Sequence, residues 1–257
     1  MIEIHPTAVV AKEAQIAENV TVAAFAVVDG DVVIGEGTTI GPHTLIANGA
    51  RIGKNCRIHN GAVVATLPQD LKFGGESTLF EIGDNTTIRE FCTLNRGTSA
   101  HGKSTIGNNC LLMAYVHVAH DCEVGHHVIM ANGVQLGGHV TIEDYAIIGG
   151  MTPVHQFCHV GQHCMVGGAF RVVQDVPPYI LASDEPLRFV GLNSVGLRRR
   201  GFSSETLLQL KRVYKVLYRS GLNVSQAVGR IKADFPMTPE IENVLRFIEH
   251  SDRGILH

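Results

Sequence analysis

Histidine is the residue type in this sequence best suited to chemistry. The chain of 257 residues has 14 histidines, and eight of them lie between residues 117 and 163. His120 and His139 are 19 residues apart, His139 and His155 are 16 apart, and His117 lies three residues before His120. Because imidazole titrates near neutral pH, such a cluster predicts either a metal site or acid–base catalysis.

The neighbours of these histidines help to distinguish the two chemistries. A zinc site of this kind requires three neutral histidines that converge on one ion. A general base requires one histidine beside a carboxylate that fixes its tautomer, and His120 is followed directly by Asp121. The sequence therefore favours the general base and keeps the metal site as an alternative. Polar corner residues without a catalytic role are a third interpretation.

A six-residue repeat determines where these histidines lie. Every sixth residue from Ile4 to Val172 is Ile, Val, Leu or Met at 26 of 29 positions, and only Asp70, Glu76 and Ala100 interrupt the series. A glycine often follows the apolar residue, which suits tight corners. Three hexads make one triangular coil, and successive coils lie about 4.8 Å apart. Residues 18 positions apart then stack, so His120, His139 and His155 are expected near one edge.

The repeat predicts an all-β parallel β-helix of about ten coils over residues 1–182. Its left-handed sense is implied by the resemblance of the repeat to known hexapeptide-repeat proteins and does not follow from the periodicity. The small inward-facing position, four residues after the apolar one, holds all six cysteines: Cys56, Cys92, Cys110, Cys122, Cys158 and Cys164. We expect them to be buried free thiols that behave as small hydrophobes, not disulfides or metal ligands.

Interruptions of the repeat predict the other parts of the fold. The stretches near 66–79 and 97–104 are expected to be loops that project from the coils, where binding groups are often found. After Pro177 and Pro178 the pattern becomes helical, which predicts a small C-terminal helical domain over 183–257. Its expected helices begin at Ser203, span 225–233, and begin again at Thr238.

Composition and charge exclude several classes of partner. The formal net charge is -3, so nucleic-acid binding by the whole molecule is not expected. No segment approaches the roughly 20 apolar residues of a membrane span. The first residues lack the basic start and apolar run of a secretory signal, so we expect a cytoplasmic protein without a transmembrane segment.

Several segments, taken together, resemble a known enzyme family. They are His117–Cys122, Gln69–Lys72, Ile88–Glu90, Arg96–Thr98, Ala146–Thr152, Val154–Cys158, Gln174–Tyr179 and Arg199–Ser203. In these segments the chain resembles the bacterial UDP-N-acetylglucosamine O-acyltransferases, which catalyse the first step of lipid A synthesis. The resemblance covers essentially the whole chain, including the helical tail.

The resemblance implies roles for individual residues. His120 would be the general base that takes the proton from the sugar 3-hydroxyl, and Asp121 would orient it. The backbone N–H of Gly138 would stabilise the oxyanion that forms at the acyl thioester. Substrate contacts are implied for Asp70, Lys72, His117, His139, His155, Gln156, Asn193 and Arg200. The first six of these would touch the sugar or the acyl carbonyl region, and Asn193 and Arg200 would hold the nucleotide. No covalent acyl-enzyme, metal or cofactor is implied.

The resemblance also implies partners. The donor would be acyl carrier protein with an (R)-3-hydroxyacyl chain, and the acceptor would be UDP-N-acetylglucosamine. The family works as a homotrimer, with the site in the cleft between neighbouring subunits. Basic residues of the tail suit an acidic carrier protein, or form an ordinary solvated helix face: Arg198, Arg199, Arg200, Lys211, Arg212, Lys215 and Arg219.

One residue bears on the length of the acyl chain. Gly168 matches the position at which a bulky residue such as methionine closes the acyl tunnel in some family members. Glycine leaves that space open, so we expect a hydroxymyristoyl donor to be preferred over a hydroxydecanoyl donor. Phe170 or Arg171 are alternative residues that would narrow the tunnel and limit the length of the acyl chain. The stretch Ser183–Leu187 departs from the family pattern, since Pro186 stands where some members have a histidine near the end of the tunnel.

Three other functions stay open at this stage. The N-acyltransferase that acts later in the same pathway carries an additional domain before its repeats, whereas the hexads here begin at Ile4. A carbonic anhydrase of this fold class would use the histidines as zinc ligands. A scaffold without catalysis would leave the pair His120 and Asp121 without a role. The acceptor group, a 3-hydroxyl or a 3-amino group, is not decided because one base serves both.

Overall fold

The computed structural model describes all residues from Met1 to His257. The strands, in chain order, are β1 (Glu3–Ile4), β2 (Val9–Val10), β3 (Gln15–Ile16), β4 (Thr21–Val22), β5 (Val27–Val28), β6 (Val33–Ile34), β7 (Thr39–Ile40), β8 (Leu45–Ile46), β9 (Ala50–Ile52), β10 (Arg57–Ile58), β11 (Val63–Thr66), β12 (Leu79–Ile82), β13 (Thr87–Ile88), β14 (Thr93–Asn95), β15 (Lys103–Ile106), β16 (Leu111–Leu112), β17 (His117–Val118), β18 (Glu123–Val124), β19 (Ile129–Met130), β20 (Gln135–Leu136), β21 (Thr141–Ile142), β22 (Ile147–Ile148), β23 (Pro153–Val154), β24 (His159–Val160), β25 (Met165–Val166), β26 (Ile180–Ser183) and β27 (Arg188–Leu192). Helices α1 (Ser194–Arg199), α2 (Ser204–Arg219), α3 (Val224–Asp234) and α4 (Pro239–Glu249) follow.

Every third strand belongs to the same sheet, as a triangular coil requires. Sheet A begins β1-β4-β7 and continues to β25, sheet B runs from β2 to β23, and sheet C from β3 to β24. All neighbours within the coil are parallel, and outside the loop regions the register advances by 18 residues, for example from His117 to Gln135. The predicted left-handed parallel β-helix is confirmed. We name its three edges by the sheets that they join: the A–B, B–C and C–A edges.

The coil is one turn shorter than the number of hexads suggests. Sheet A has nine rungs in the coil, and isolated bridges at Val172 and Val176 complete a ninth rung in sheets B and C. The interrupting positions Asp70, Glu76 and Ala100 lie in loops, so their hexads add no strand. The loops are also shorter than predicted, because Leu79 and Lys103 pair with each other in β12 and β15.

The core of the coil is a stack of the inward-facing apolar side chains. Ile40, Ile46, Ile88 and Leu94 are examples, each no more than 1% exposed. All six cysteines are buried and free, and burial raises their thiol pKa, for instance that of Cys122 to about 12. Unreactive, neutral thiols of this kind pack as small hydrophobes, so the prediction for the cysteines agrees with the structure.

The helical tail packs against the end of the coil. Ser203 caps α2 through a bond from the Thr206 N–H, and Thr238 caps α4 in the same way. The buried face of α2 consists of Leu207, Leu210, Val213, Tyr214 and Leu217. The Tyr214 hydroxyl donates to the Pro178 carbonyl at 2.6 Å, which joins the helix to the end of the coil. No helix in the chain is long and apolar enough to cross a membrane.

The connection between coil and helices differs from the prediction of a plain linker. Strand β26 adds to sheet A in parallel to β25, and β27 then turns back antiparallel to β26. The predicted division after residue 182 therefore falls inside β26, and the domain boundary stays a prediction. The short helix α1, capped by Asn193, was also not anticipated, because it lacks an apolar stripe of its own.

Candidate active site

His120, His139 and His155 lie at the B–C edge, in neighbouring vertical columns of stacked residues. The His139 N–H donates to the His120 carbonyl, and the Phe157 N–H donates to that of Gly138. With an 18-residue register, His120 lies below Gly138, and Asp121 lies below His139. The structure thus brings His120 and His139 together, whereas His155 occupies a third column above Gly137.

The backbone conformation at the corner of each coil brings the side chains of His120, Asp121 and His139 together. Asp121, His139 and Phe157 have φ values of 58°, 60° and 64°, in the left-handed region that non-glycine residues rarely adopt. This conformation turns the chain sharply from sheet B into sheet C on each coil. As a result the carboxylate of Asp121 and the imidazoles of His120 and His139 meet at the edge instead of diverging.

His120 and Asp121 form a hydrogen-bonded pair. Nδ1 of His120 lies 2.8 Å from Oδ2 of Asp121, and the Asp121 side chain is fully buried while that of His120 is 14% exposed. Since a carboxylate oxygen only accepts, Nδ1 carries the proton and Nε2 is left as an acceptor. Burial acts to raise the pKa of Asp121, but hydrogen bonds from His120 and Thr98 outweigh it and hold that pKa below its usual range. The pair is therefore an ionised carboxylate that orients the neighbouring imidazole.

His139 lies beside this pair and is held by stacking. Its ring stacks on Phe157 with centroids 4.5 Å apart and meets His120 edge-on at 5.2 Å. Burial lowers the pKa of His139, and the charge of Asp121 opposes the shift. A neutral imidazole at this place can donate or accept one hydrogen bond toward a substrate.

The same three side chains are the group in the chain that could hold a metal ion. The ligand atoms of His120, Asp121 and His139 lie within 4.8 Å of one another, and two imidazoles with a carboxylate suit zinc. However, Nδ1 of His120 and both oxygens of Asp121 are already engaged in hydrogen bonds, with Thr98 as the other donor. An ion bound through Nδ1 of His120 would have to displace its bond to Asp121.

Gly138 adds a hydrogen-bond donor next to the imidazole. A Cβ atom at this position would lie 2.6 Å from Cε1 and 2.7 Å from Nε2 of His120, so only glycine fits under the ring. The N–H of Gly138 has no hydrogen-bond partner within the protein. Because it makes no bond within the protein, this N–H is available to a ligand.

The other predicted residues of this region surround the pair. His117 lies on the outer face of sheet B, with Nδ1 2.8 Å from the Thr93 hydroxyl, and burial lowers its pKa. His155 and Gln156 are exposed at the B–C edge one coil above Gly138. Nδ1 of His155 donates to the Gln156 carbonyl at 3.0 Å, which leaves its Nε2 free to accept.

Both loops leave the coil at the B–C edge, directly below His120. The first, 67–78, contains Asp70, whose Oδ1 accepts the Lys72 N–H at 2.9 Å in a tight turn. The negative charge of Asp70 is close enough to His139 to act on its pKa, in the raising direction. The Lys72 side chain is exposed, so both loop residues are available near the histidines. The second loop, 96–102, supplies Thr98 to Asp121, a contact that the sequence analysis missed.

Asn193 and Arg200 lie together, but at the C–A edge. The Asn193 side chain donates to the His163 carbonyl at 3.0 Å and accepts the Gly196 N–H at 3.2 Å. Its amide therefore organises the start of α1, and its predicted contact with the nucleotide stays a prediction. The Arg200 guanidinium lies over the Tyr145 ring at 5.2 Å and 3.5 Å from Nδ1 of His163.

Arg200 keeps its positive charge free for a ligand. Burial and the charge of Arg200 lower the pKa of His163 to about 4, so the histidine is neutral and accepts from the arginine. The polar contact of Arg200 within the chain is with this neutral ring, not with a carboxylate. A half-buried arginine without a counter-ion suits a phosphate group.

Two further predicted features lie elsewhere. Gly168 is exposed at the A–B edge, three coils above the level of His120, which is about 14 Å along the axis. The basic residues Lys211, Lys215 and Arg219 of α2 line a groove of about 340 Å³ against β27. Their side chains are exposed and make no ion pair within the chain.

Comparison with family models gives two matches. Residues 175–256 match the model described as UDP-N-acetylglucosamine O-acyltransferase, domain 2. Residues 31–66 and 103–138 match the bacterial transferase hexapeptide model of six repeats. The first match covers the end of the coil and the helices, and the second covers parts of the coil.

Relatives and solved structures match over the whole length. The acyl-[acyl-carrier-protein]–UDP-N-acetylglucosamine O-acyltransferase of Thiobacillus denitrificans is 44% identical over 257 residues, which is 100% of each chain. The UDP-N-acetylglucosamine acyltransferase structure from Bacteroides fragilis has a TM-score of 0.97 at 46% identity and covers 98% of this chain and 99% of its own. That from Francisella novicida has a TM-score of 0.96 at 42% identity and covers 98% and 93%. This chain is an acyltransferase that belongs to the UDP-N-acetylglucosamine O-acyltransferase family.

Proposed function

We propose that the protein transfers an (R)-3-hydroxyacyl chain from acyl carrier protein to the 3-hydroxyl of UDP-N-acetylglucosamine, the first step of lipid A biosynthesis, with His120 as general base. The observation that carries the proposal is the buried pair of His120 and Asp121 with the free N–H of Gly138 beside it. The names of the relatives support the donor and the acceptor.

The chemical step follows from the free acceptor on His120. Nε2 takes the proton of the sugar 3-hydroxyl while the hydroxyl oxygen attacks the thioester carbonyl carbon. The negative charge that develops on the carbonyl oxygen is stabilised by the Gly138 N–H, a contribution of a few kcal/mol for one such donor. When the tetrahedral intermediate collapses, the carbon–sulfur bond breaks and the thiolate of the carrier takes the proton from Nε2. No acyl-enzyme forms, and the histidine returns to its starting state.

The surrounding residues position the two substrates. His117, His139, His155 and Gln156 line the edge around the pair and present ring nitrogens or an amide. Asp70 and Lys72 approach from the loop below and suit the sugar hydroxyls. Burial keeps His139 uncharged, so it hydrogen-bonds the substrate without competing for the proton that His120 removes.

The location of Arg200 supports a homotrimer. His120 is at the B–C edge and Arg200 is at the C–A edge, one face of the prism away. A face of six residues spans up to about 20 Å, whereas the diphosphate of a nucleotide sugar is bonded directly to the sugar ring. Because the two residues lie on different edges of the prism, we assign Arg200 to the nucleotide held by the neighbouring copy. The fully exposed Leu71 at the tip of the first loop also suits packing against a neighbour.

The basic groove of α2 is proposed to dock the carrier protein. The exposed cations Lys211, Lys215 and Arg219 have no acidic partner within the chain and lie beside apolar residues of β27. Such a surface attracts an acidic partner and speeds its association.

The proposal is tested by acyl transfer assays on His120→Ala and Asp121→Asn. We expect His120→Ala to lose several orders of magnitude in turnover, because general-base assistance alone is worth about 10²–10⁴-fold and positioning is lost as well. Its circular dichroism and oligomeric state should match those of the parent. Near-normal turnover of purified His120→Ala would refute the assignment. Parallel assays with the 3-hydroxyl and 3-amino forms of the acceptor identify the group that is acylated.

A further inference from the structure

Thr98, in the second loop, holds both oxygens of the Asp121 carboxylate. Its backbone N–H donates to Oδ1 at 2.9 Å, and its hydroxyl donates to Oδ2 at 2.7 Å. Thr98 is 7% exposed and Asp121 is 1% exposed, so water does not substitute for either bond. Oδ2 is the same oxygen that accepts Nδ1 of His120.

The loop that carries Thr98 is itself fixed. The Glu76 carboxylate accepts the Ser99 N–H at 3.1 Å and the Gly74 N–H at 2.8 Å, which ties the two loops together. A Cβ on Gly97 would lie 2.4 Å from the Lys103 nitrogen, so the backbone there is packed too closely for any other residue. The bonds of Glu76 and the close packing at Gly97 therefore hold Thr98 in place against Asp121.

The carboxylate has a second imidazole within reach. Nε2 of His139 lies 3.8 Å from Oδ2 of Asp121, the oxygen that is 2.8 Å from Nδ1 of His120. A carboxylate that is free to rotate about its Cβ–Cγ bond would divide its time between these two donors. The two bonds from Thr98 fix the plane of the carboxylate, and this orientation keeps Oδ2 on His120.

We propose that Thr98 is a positioning residue for acyl transfer, which locks Asp121 onto His120 and away from His139. The inference rests on the proposed function, since it requires His120 to be the base that Asp121 orients. Thr98 touches no substrate and acts through Asp121 alone.

A purely structural role of Thr98 would have different consequences. Its hydroxyl also accepts the Ala100 N–H at 3.2 Å, a contact that stabilises the loop. Loss of that contact would change turnover equally whether or not residue 121 carries a carboxylate. A double-mutant cycle separates the two roles.

The experiment measures kcat and KM for Thr98→Val and Thr98→Ser in the parent and in Asp121→Asn. Valine keeps the shape and the backbone N–H and removes only the hydroxyl. We expect Thr98→Val to lower kcat about tenfold, the size expected for one hydrogen bond to a charged group, with KM of both substrates unchanged. Thr98→Ser should recover at least half of the parent kcat, and Thr98→Val should cost less than about twofold in Asp121→Asn.

The outcomes separate this inference from the proposed function. Equal losses for Thr98→Val in both backgrounds, or a loss that serine does not rescue, would overturn the positioning role. Low turnover of Asp121→Asn together with normal turnover of Thr98→Val would also overturn it, while leaving His120 and Asp121 in place. Normal turnover of both His120→Ala and Asp121→Asn would remove the proposed function and this inference with it. If Thr98→Val does not fold, Thr98→Ala takes its place with the same expectations.

Discussion

The His120 imidazole covers Gly138 so closely that a β-carbon on the glycine would lie 2.6 Å from Cε1. The residue with the free N–H is therefore also the residue that leaves room for the imidazole. In the proposed reaction, the oxyanion donor and the space for the base therefore depend on the same position.

Replacement of Gly138 tests this relationship. We expect Gly138→Ala to reduce turnover at least about 10²-fold, because the methyl group pushes the imidazole off Asp121 and away from the N–H. The coil should stay folded, since the clash is with a side chain at the edge and not with the core. The measurement is kcat with thermal unfolding. Gly229→Ala, in α3, serves as the control because no atom lies within 4 Å of its added methyl; equal turnover of the two variants would contradict the account.

Removal of metal ions should leave the rate unchanged. Nδ1 of His120 and both oxygens of Asp121 already have hydrogen-bond partners, and two of the bonds come from Thr98. The pair therefore has its partners without an ion. Dialysis against a strong chelator, followed by assay with and without added zinc, checks this. A loss of rate that zinc restores would favour the metal site instead.

Much of this site could be predicted from the sequence, because the repeat gives the position of every residue around the coil. The hexad alone places His120 and His139 at one edge. The same phase puts His163, which contacts Arg200, on a different edge, since 43 residues are two coils, one hexad and one further residue. The dyad of His120 and Asp121 is likewise local, and its geometry agrees with the expectation.

What the sequence could not give lies where the repeat is interrupted. Thr98 belongs to a loop without periodicity, so nothing in its spacing shows that it reaches Asp121, 23 residues later. The antiparallel strand β27 was missed for a similar reason, because its pairing with β26 depends on tertiary context instead of alternation. The bond of the Asn193 side chain to the Gly196 N–H at the start of α1 likewise has no signature in the sequence.

Mixed oligomers of two variants test the proposed trimer, in which a site is shared between subunits. His120→Ala and Arg200→Ala should each be poorly active alone when assayed at low nucleotide-sugar concentration. If neighbouring subunits supply His120 and Arg200, random assembly from equal amounts restores an intact pair at about one interface in four. About a quarter of the parent rate is therefore expected from the co-assembled mixture. The same two variants, combined after assembly under conditions without subunit exchange, give the baseline. A mixture that never exceeds this baseline would mean that each site lies within one subunit.

The last prediction concerns the length of the acyl chain. Gly168 has no side chain to fill the A–B edge, and a Cβ there would lie 3.0 Å from the Gly150 carbonyl oxygen. A larger residue is therefore accommodated by a small backbone shift and would project outward into the space beyond. With that space open, each added methylene of the donor is buried for about 0.8 kcal/mol. Four methylenes then favour the fourteen-carbon over the ten-carbon 3-hydroxyacyl donor by roughly two orders of magnitude, after some loss to chain entropy. Gly168→Met should reverse the preference by blocking the space, whereas Gly168→Ala, which adds only one methyl group, should keep it. The measurement is kcat/KM for both donors in all three proteins. Two results would contradict this prediction: a parent enzyme that prefers the shorter donor, or a Gly168→Met variant with unchanged preference. Either would mean that another residue limits the length of the acyl chain, with Phe170 and Arg171 as the next positions to test.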